Sequence, residues 1–112
     1  MREYVKKDAD IRIFLLNIEK GKYLKEYMLA AYIYQLEDEF YLIFATEQHI
    51  LYINLREKYI IWKMKMNELQ DITKLKNGVT LTLKGCSIVD IVIPEQEDVE
   101  AIYSILRGIK HI

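Results

Sequence analysis

The fold of this chain is decided by residues 79–98, which read Val79-Thr80-Leu81-Thr82-Leu83-Lys84, Gly85-Cys86, Ser87-Ile88-Val89-Asp90-Ile91-Val92-Ile93 and Pro94-Glu95-Gln96-Glu97-Asp98. The two apolar blocks are rich in β-branched residues, and the first alternates with the period of a half-buried strand. A proline followed by carboxylates is typical of the first turn of a helix, which lacks amide partners and carries partial positive charge. The stretch therefore predicts two strands joined by a turn, and then a helix.

Five earlier segments also read as strands, because each is rich in apolar and aromatic residues and is bounded by turn residues. They are Tyr23–Tyr34, Phe40–Thr46, His49–Asn54, Lys58–Lys65 and Leu69–Lys74. The tripeptide Lys76-Asn77-Gly78 is a strong hairpin signal before the sixth strand. Strict alternation in the fourth strand places Ile60, Trp62, Met64 and Met66 on the core face, and Tyr59, Ile61, Lys63 and Lys65 on the outward face.

Two helices are predicted, one at each end of the chain. Val99, Ile102, Leu106 and Ile109 form an apolar stripe on a helix from about Glu95 to Lys110. Near the start, Ile11, Phe14, Leu15 and Ile18 recur at helical spacing until Gly21, which predicts an additional N-terminal helix. The fold class is therefore mainly β, a seven-stranded antiparallel sandwich or open barrel capped by a C-terminal helix, and this order of elements is the plan of a pleckstrin-homology-like domain.

Composition limits the classes of protein to which the chain can belong. It has 112 residues, 52% hydrophobic and 29% charged, which predicts one folded domain over residues 1–112. No run approaches the roughly 18 apolar residues of a membrane-spanning helix, and no secretory signal is visible. The single Cys86 favours a reducing, cytoplasmic location. Sixteen Lys and Arg against seventeen Asp and Glu give a net charge of -1, so strong bulk attraction to nucleic acid or acidic lipid is not expected.

Several short motifs carry a resemblance to a known family. They are Gly21-Lys22-Tyr23-Leu24, Tyr27, the strand pair Phe40 to Asn54, Ile61-Trp62-Lys63-Met64 and Leu69-Gln70-Asp71-Ile72. Together they resemble the C-terminal pleckstrin-homology-like domain of the vacuolar protein sorting thirteen (chorein) family of bridge-like lipid-transfer proteins. The similarity extends over roughly residues 11–84. At the hairpin tip this chain has Glu47-Gln48-His49, where the family has basic residues.

The resemblance implies a function for the domain. It implies a tail fragment of a much larger protein, in which the lipid-carrying groove lies elsewhere. The domain is then expected to be a non-catalytic adaptor that docks the bridge at an acceptor membrane or membrane contact site. The expected partners are an Arf-class small GTPase or another membrane-bound protein, and phosphoinositide lipid, which places the domain peripherally at organelle membranes.

Lysines are the candidates for any lipid contact, because phosphate is held by charge-assisted contacts. The candidates are Lys20, Lys22, Lys25, Lys63, Lys65, Lys74 and Lys76. Such lysines also serve as solvated edge residues that keep sheets from pairing, and the sequence leaves both interpretations open. Glu37-Asp38-Glu39 occupies the first hairpin loop, where phosphate-binding relatives carry basic residues. Repulsion there predicts weak, nonspecific phosphoinositide binding.

A protein interface is the second candidate site. Tyr59, Ile61, Lys63 and Lys65 share the predicted outward face of the fourth strand, and tyrosines are enriched at binding hot spots. Tyrosine is also an ordinary strand residue, so the abundance of tyrosine does not decide between interface and core. An alternative function is a peptide-binding or scaffolding module of the pleckstrin-homology or GRAM type with no lipid role, which binds an extended peptide beside the last helix.

Chemical motifs do not support an enzyme. His49 and His111 are distant in sequence, and Cys86 has no matching catalytic signature. The acidic run Glu37-Asp38-Glu39 lacks the central glycine of a calcium loop, and the isolated glycines do not form a phosphate-cradling loop. We therefore predict no catalytic residues, no metal, no cofactor and no nucleic-acid partner.

Overall fold

The computed structural model describes residues 18–110, and this part of the chain folds as seven strands in two antiparallel sheets with one helix against them. The strands are β1 (Met28–Leu36), β2 (Glu39–Thr46), β3 (His49–Asn54), β4 (Tyr59–Lys65), β5 (Leu69–Leu75), β6 (Gly78–Leu83) and β7 (Ile88–Val92). The first sheet has the order β1-β2-β3-β4 and the second β5-β6-β7. The helix, α1, spans Gln96–Lys110, so the predicted fold class is confirmed in its strands and C-terminal helix.

The predicted N-terminal helix is not found in the described residues. Its proposed stripe lies mostly in residues 1–17, which are outside the described part. From Ile18 to Lys25 the chain forms a 3-10 helix that continues through Gly21 rather than ending there. The first strand accordingly begins at Met28 and not at Tyr23. Tyr23 instead lies buried in the 3-10 helix.

The main core lies between the two sheets and α1. Alternate residues of the strands point into it, as the period of two requires, and Val99, Ile102 and Leu106 add the predicted stripe of the helix. At Gly78 the β6 backbone approaches β7 so closely that a Cβ atom would lie 2.2 Å from the Ile91 carbonyl oxygen. Glycine is needed there for space, because it has no Cβ atom.

Side-chain contacts fix α1 across the ends of both sheets. The Tyr32 hydroxyl on β1 donates to the Asp98 carboxylate over 2.6 Å, close to the start of the helix. Near its end, the Lys110 ammonium donates to the Met66 carbonyl over 3.0 Å. Met66 belongs to the short 3-10 turn Met66–Glu68 that links the sheets. The helix is thus attached at both ends to the elements that frame the core.

The first sheet is buried on its outer face as well. Tyr23, Leu42, Phe44, Leu51 and Ile53 form a second cluster there, which we call the outer cluster. Because these residues alternate with core-facing residues, β2 and β3 read as nearly continuous apolar runs, as expected of strands covered on both sides.

A bulge in β4 changes the alternation that the sequence predicts. Tyr52 is opposite Trp62, but Ile53 is opposite Ile60, so Ile61 is an extra residue. As a result Ile60 packs on the outer cluster, while Trp62 and Met64 face the core. The prediction that Ile60 and Trp62 share a face is wrong, because one inserted residue reverses the facing of every residue before it.

Candidate functional site

Two of the candidate lysines converge on one buried ring. The Lys22 ammonium lies 5.6 Å and the Lys63 ammonium 5.7 Å from the centroid of the Tyr23 ring. Lys63 also donates a hydrogen bond of 3.0 Å to the Tyr23 hydroxyl. A cation near an aromatic ring is held by the ring quadrupole, so these contacts tie β4 to the 3-10 helix. They form a small basic surface outside the first sheet.

The other candidate lysines are dispersed. Lys25 is exposed at the end of the 3-10 helix, and Lys65 is exposed on β4 opposite His49. Lys76 is exposed in the turn between β5 and β6. The Lys20 side chain lies outside the described part of the structure. The fold therefore does not bring the seven lysines into one patch.

Lys74 faces α1 and connects it to the second sheet. The Lys74 ammonium donates to both carboxylate oxygens of Glu100, over 2.9 and 3.0 Å, and lies 5.2 Å from the Tyr103 ring centroid. The bond from Lys74 keeps the pKa of the Glu100 carboxyl below its usual value. An extended peptide added between β5 and α1 would have to displace this bridge.

A cluster of hydrogen-bonded polar side chains that was not predicted from the sequence lies beside Tyr23. The carboxylate of Glu26 accepts hydrogen bonds from the Thr46 hydroxyl (2.5 Å) and from Nδ1 of His49 (2.9 Å). Burial disfavours the charged carboxylate, but the two bonds and the positive charge of His49 and Lys22 together hold the pKa of Glu26 below its usual value. The sequence does contain one signal for this cluster, namely Thr46 and His49 on either side of a two-residue turn. A threonine hydroxyl in that position can accept hydrogen bonds from nearby backbone amides. It does so here with the amides of Gln48 and His49.

An aromatic row crosses the inner face of the first sheet. The Tyr34, Tyr41, Tyr52 and Trp62 rings stack in sequence with centroid distances of 5.7, 5.4 and 5.4 Å. The Tyr34 and Tyr52 hydroxyls bond to each other, and Tyr34 donates to the Val92 carbonyl over 2.9 Å. Burial raises the pKa of Tyr52 to about 12 and raises that of Tyr34 further. Both therefore stay neutral hydrogen-bonding groups at physiological pH.

The candidate protein interface is divided by the bulge. Tyr59 lies opposite Asn54 in the same cross-strand row as Tyr41, so its side chain is on the core-facing side of the sheet, at its open end. Lys63 lies opposite Leu51 and so is on the outer side, as is Lys65. Ile61 is 37% exposed at the bulge, and Tyr59 is 50% exposed. All four residues belong to β4 at the edge of the sheet, but their side chains do not lie on the same side of it.

These surfaces offer contacts for binding: exposed apolar and aromatic side chains beside cations. Within residues 18–110, no group of three His, Cys, Asp or Glu side chains is placed to hold a metal ion. Cys86 is exposed in the β6–β7 turn. No helix in that part of the chain is long and apolar enough to cross a membrane.

Comparison with known proteins identifies a family. A family model described as the C-terminal part of the intermembrane lipid transfer protein VPS13 matches residues 1–103. The chain is also 32% identical over 87 residues to the intermembrane lipid transfer protein VPS13 of Chaetomium thermophilum. That match covers 76% of this chain but only 3% of the relative. The similarity is thus to a small terminal piece of a very long protein.

Proposed function

The chain belongs to the VPS13 family of intermembrane lipid transfer proteins, and on that premise we propose that it is a docking module rather than part of the lipid-carrying groove. It spans 3% of the length of the relative. Lipid transfer between two membranes requires that both ends of the bridge be held in place. A small C-terminal domain that presents side chains for contact at a sheet edge is suited to hold one of these ends.

The observation that carries this proposal is the exposed edge of β4. In the first sheet β4 is a terminal strand, and the bulge turns Ile61 out to solvent at 37% exposure. Exposed edge strands are usually protected, because they can pair with another chain. A partner that buries Ile61 gains from the hydrophobic effect, and a few such anchors supply most of the affinity of an interface. Lys65, four residues further along β4, can contribute charge complementarity at the rim.

The partner we propose is a membrane-bound protein, with an Arf-class small GTPase as the first candidate. The Arf class is what the family resemblance implies. A protein partner is favoured over lipid alone by the charge of the domain. With a net charge of -1, the chain has little general attraction to an anionic bilayer, where each basic residue contributes only about 1 kcal/mol.

Phosphoinositide contact has a secondary role in this proposal. The support for it is the small basic surface in which Lys22 and Lys63 meet at Tyr23. Against a tight site stands the turn between β1 and β2, where Glu37 and Asp38 are exposed and repel phosphate. We therefore expect weak binding with no sharp preference among phosphoinositides. Liposome co-sedimentation at physiological salt, where screening suppresses nonspecific contacts, is the measurement.

The decisive experiment is a pull-down of the domain with an active Arf-class GTPase, repeated with Ile61→Asp. A charge at a buried anchor should lower retention about tenfold or more, equivalent to about 1.4 kcal/mol. Ile88→Asp is the matched control, because Ile88 is also an exposed β-strand isoleucine but lies on the second sheet. Equal retention of both variants and of the unchanged domain would refute the proposal.

The contribution of lipid contact is tested by reversing the charge of candidate lysines. Lys63→Glu with Lys65→Glu removes two cations, although Lys63 also bonds to Tyr23. Lys25→Glu with Lys65→Glu leaves that bond intact and controls for loss of folding. If these pairs abolish membrane recruitment while Ile61→Asp has no effect, lipid contact rather than a protein partner is the primary attachment.

A further inference from the structure

One end of the first sheet presents aromatic side chains that the core does not cover. Tyr34, Tyr41, Asn54 and Tyr59 form one cross-strand row, and Tyr52 and Trp62 lie opposite each other in the next. Exposure rises across this set from 2% at Tyr34 and 8% at Tyr52 to 50% at Tyr59. Tyr41 and Trp62 are half-buried. Within residues 18–110, the Tyr41 and Tyr59 hydroxyls have no hydrogen-bond partner. The end of the row therefore offers ring faces and hydroxyls to another molecule.

Carboxylates border these rings on the β1–β2 side. Glu37 and Asp38 form the turn, and Glu39 begins β2 in the same inward set as Tyr41. The Gln35 amide donates to the Glu37 carbonyl over 3.0 Å, and the Asn54 amide donates to the Glu39 carboxylate over 2.5 Å, so both ends of the turn are held. The pKa of Tyr41 is raised, first by burial and then by Glu39, Tyr59 and Glu37. Glu39 and Glu37 thus lie close enough to Tyr41 to disfavour negative charge on its hydroxyl.

Basic residues are also present at this end, on the opposite turn. Arg56 and Lys58 are exposed between β3 and β4, next to Glu57. The carboxylates of Glu37 and Asp38 and the cations of Arg56 and Lys58 therefore lie on two different turns at this end of the sheet.

We propose that this aromatic and acidic surface, formed by Glu37, Glu39, Tyr41, Tyr59 and Trp62, binds an arginine-bearing extended segment of a partner protein. The inference rests on the proposed docking function and names the chemistry of the partner. A planar guanidinium can stack on a tyrosine or tryptophan ring while its N–H groups pair with a carboxylate. Rings and carboxylates lie side by side here, so one arginine can make both contacts. The same carboxylates repel an anionic lipid headgroup.

The positions of the accessible rings support a segment rather than a single side chain. Tyr41 lies on β2, whereas Tyr59 and Trp62 lie on β4, so these rings are spread over two strands. A segment with more than one arginine can contact more of them than one side chain can. The edge of β4 adjoins the site at Ile61, so the same segment can continue along it.

The test uses the isolated chain and a defined probe, acetyl-Gly-Arg-Gly-Arg-Gly-Arg-amide. Trp62 is the only tryptophan, so its fluorescence reports directly on the site. We expect saturable binding by the arginine peptide, weaker binding by the same peptide with lysine, and none with neutral, isosteric citrulline. Equal responses to arginine and citrulline, or no saturation, would overturn the proposal.

Substitutions locate the site. Tyr59→Ala and Glu37→Gln should each raise Kd about five- to tenfold. Tyr27→Ala and Glu97→Gln are the matched controls, because Tyr27 is 71% exposed and Glu97 is exposed on α1. Both should change Kd less than twofold. Site and control variants that weaken binding equally would show nonspecific charge attraction and overturn the assignment.

Failure of this inference can be told apart from failure of the docking proposal. Loss of the partner in Ile61→Asp, with no peptide binding at Trp62, keeps the docking function and overturns the arginine site. Peptide binding that depends on Tyr59, with full retention of the Arf-class partner by Ile61→Asp, supports the arginine site and overturns the proposed docking edge.

Discussion

Replacing Tyr34 with phenylalanine removes one oxygen atom on which two other polar groups depend. Tyr34 donates its proton to the Val92 carbonyl over 2.9 Å, so the Tyr52 hydroxyl must donate to Tyr34. These bonds join the two sheets, since Val92 lies on β7. The phenylalanine ring keeps the stacking volume and leaves no cavity. The loss of stability therefore measures the polar contacts alone.

The magnitude follows from what each group loses. A hydrogen bond contributes about 1 kcal/mol net, and a buried group left without a partner costs about 1–3 kcal/mol. Tyr52 is 8% exposed, so its hydroxyl is poorly rehydrated. We expect Tyr34→Phe to lower the free energy of unfolding by about 2 kcal/mol. For a domain of this size that is roughly 8 °C in Tm.

Urea unfolding followed by Trp62 fluorescence is the assay, with circular dichroism as a second probe. Tyr41→Phe is the control, because within residues 18–110 the Tyr41 hydroxyl has no partner, and its loss should cost at most about 0.5 kcal/mol. The double variant Tyr34→Phe with Tyr52→Phe should cost less than the sum of the single variants, since no hydroxyl is then left unpaired. Equal effects of Tyr34→Phe and Tyr41→Phe would refute the reasoning.

Two further predictions concern backbone spacing and pH. Gly78→Ala should destabilise the domain by about 3 kcal/mol, because the new Cβ would lie 2.2 Å from the Ile91 carbonyl oxygen. Gly108→Ala should stabilise α1 by about 1 kcal/mol, because a Cβ there would have no atom within 4 Å. Thermal unfolding of the two variants tests this difference in stability. Since the pKa of Glu26 is held below 4.5, its stabilising effect is complete above that pH and is lost as pH falls through the lowered pKa. Glu26→Gln should therefore be less stable than the unchanged domain at pH 7. Urea titrations should show that the difference in free energy of unfolding between the two becomes smaller below about pH 4.5.

The strands that the sequence predicts well are those whose boundaries are set by local chemistry. His49–Asn54 is found as predicted, and the chain turns at Lys76-Asn77 between β5 and β6, directly before Gly78. Pro94 precedes a helix that begins within a residue of the expected position. In these cases turn residues and helix-end preferences act over a few positions, and no distant contact is needed to decide them.

The features that the sequence did not predict depend on contacts between distant residues. Tyr23 reads as a strand residue, but it is drawn into the outer cluster by Leu42 and Phe44. A strict period of two does not predict the bulge at Ile61, because the pairing of β4 with β3 determines where the extra residue lies. The seven lysines could be identified as candidates from the sequence alone. The bond between Lys74 and Glu100 could not be predicted, because it depends on where α1 packs against β5.

Burial of β2 and β3 on both faces determines where a partner can bind. The outer cluster occupies the outer side of these strands, and the core occupies the inner side. Neither broad face of the central strands is then free to receive a partner. What the first sheet can still offer is its edge at β4 and the open end around Tyr59, where exposure reaches 50%. Because both involve β4, one partner segment can contact Ile61 at the edge with apolar groups and reach the ring of Tyr59 with an arginine side chain. Such a segment would draw its affinity from the edge and its specificity from the rings and the carboxylates beside them.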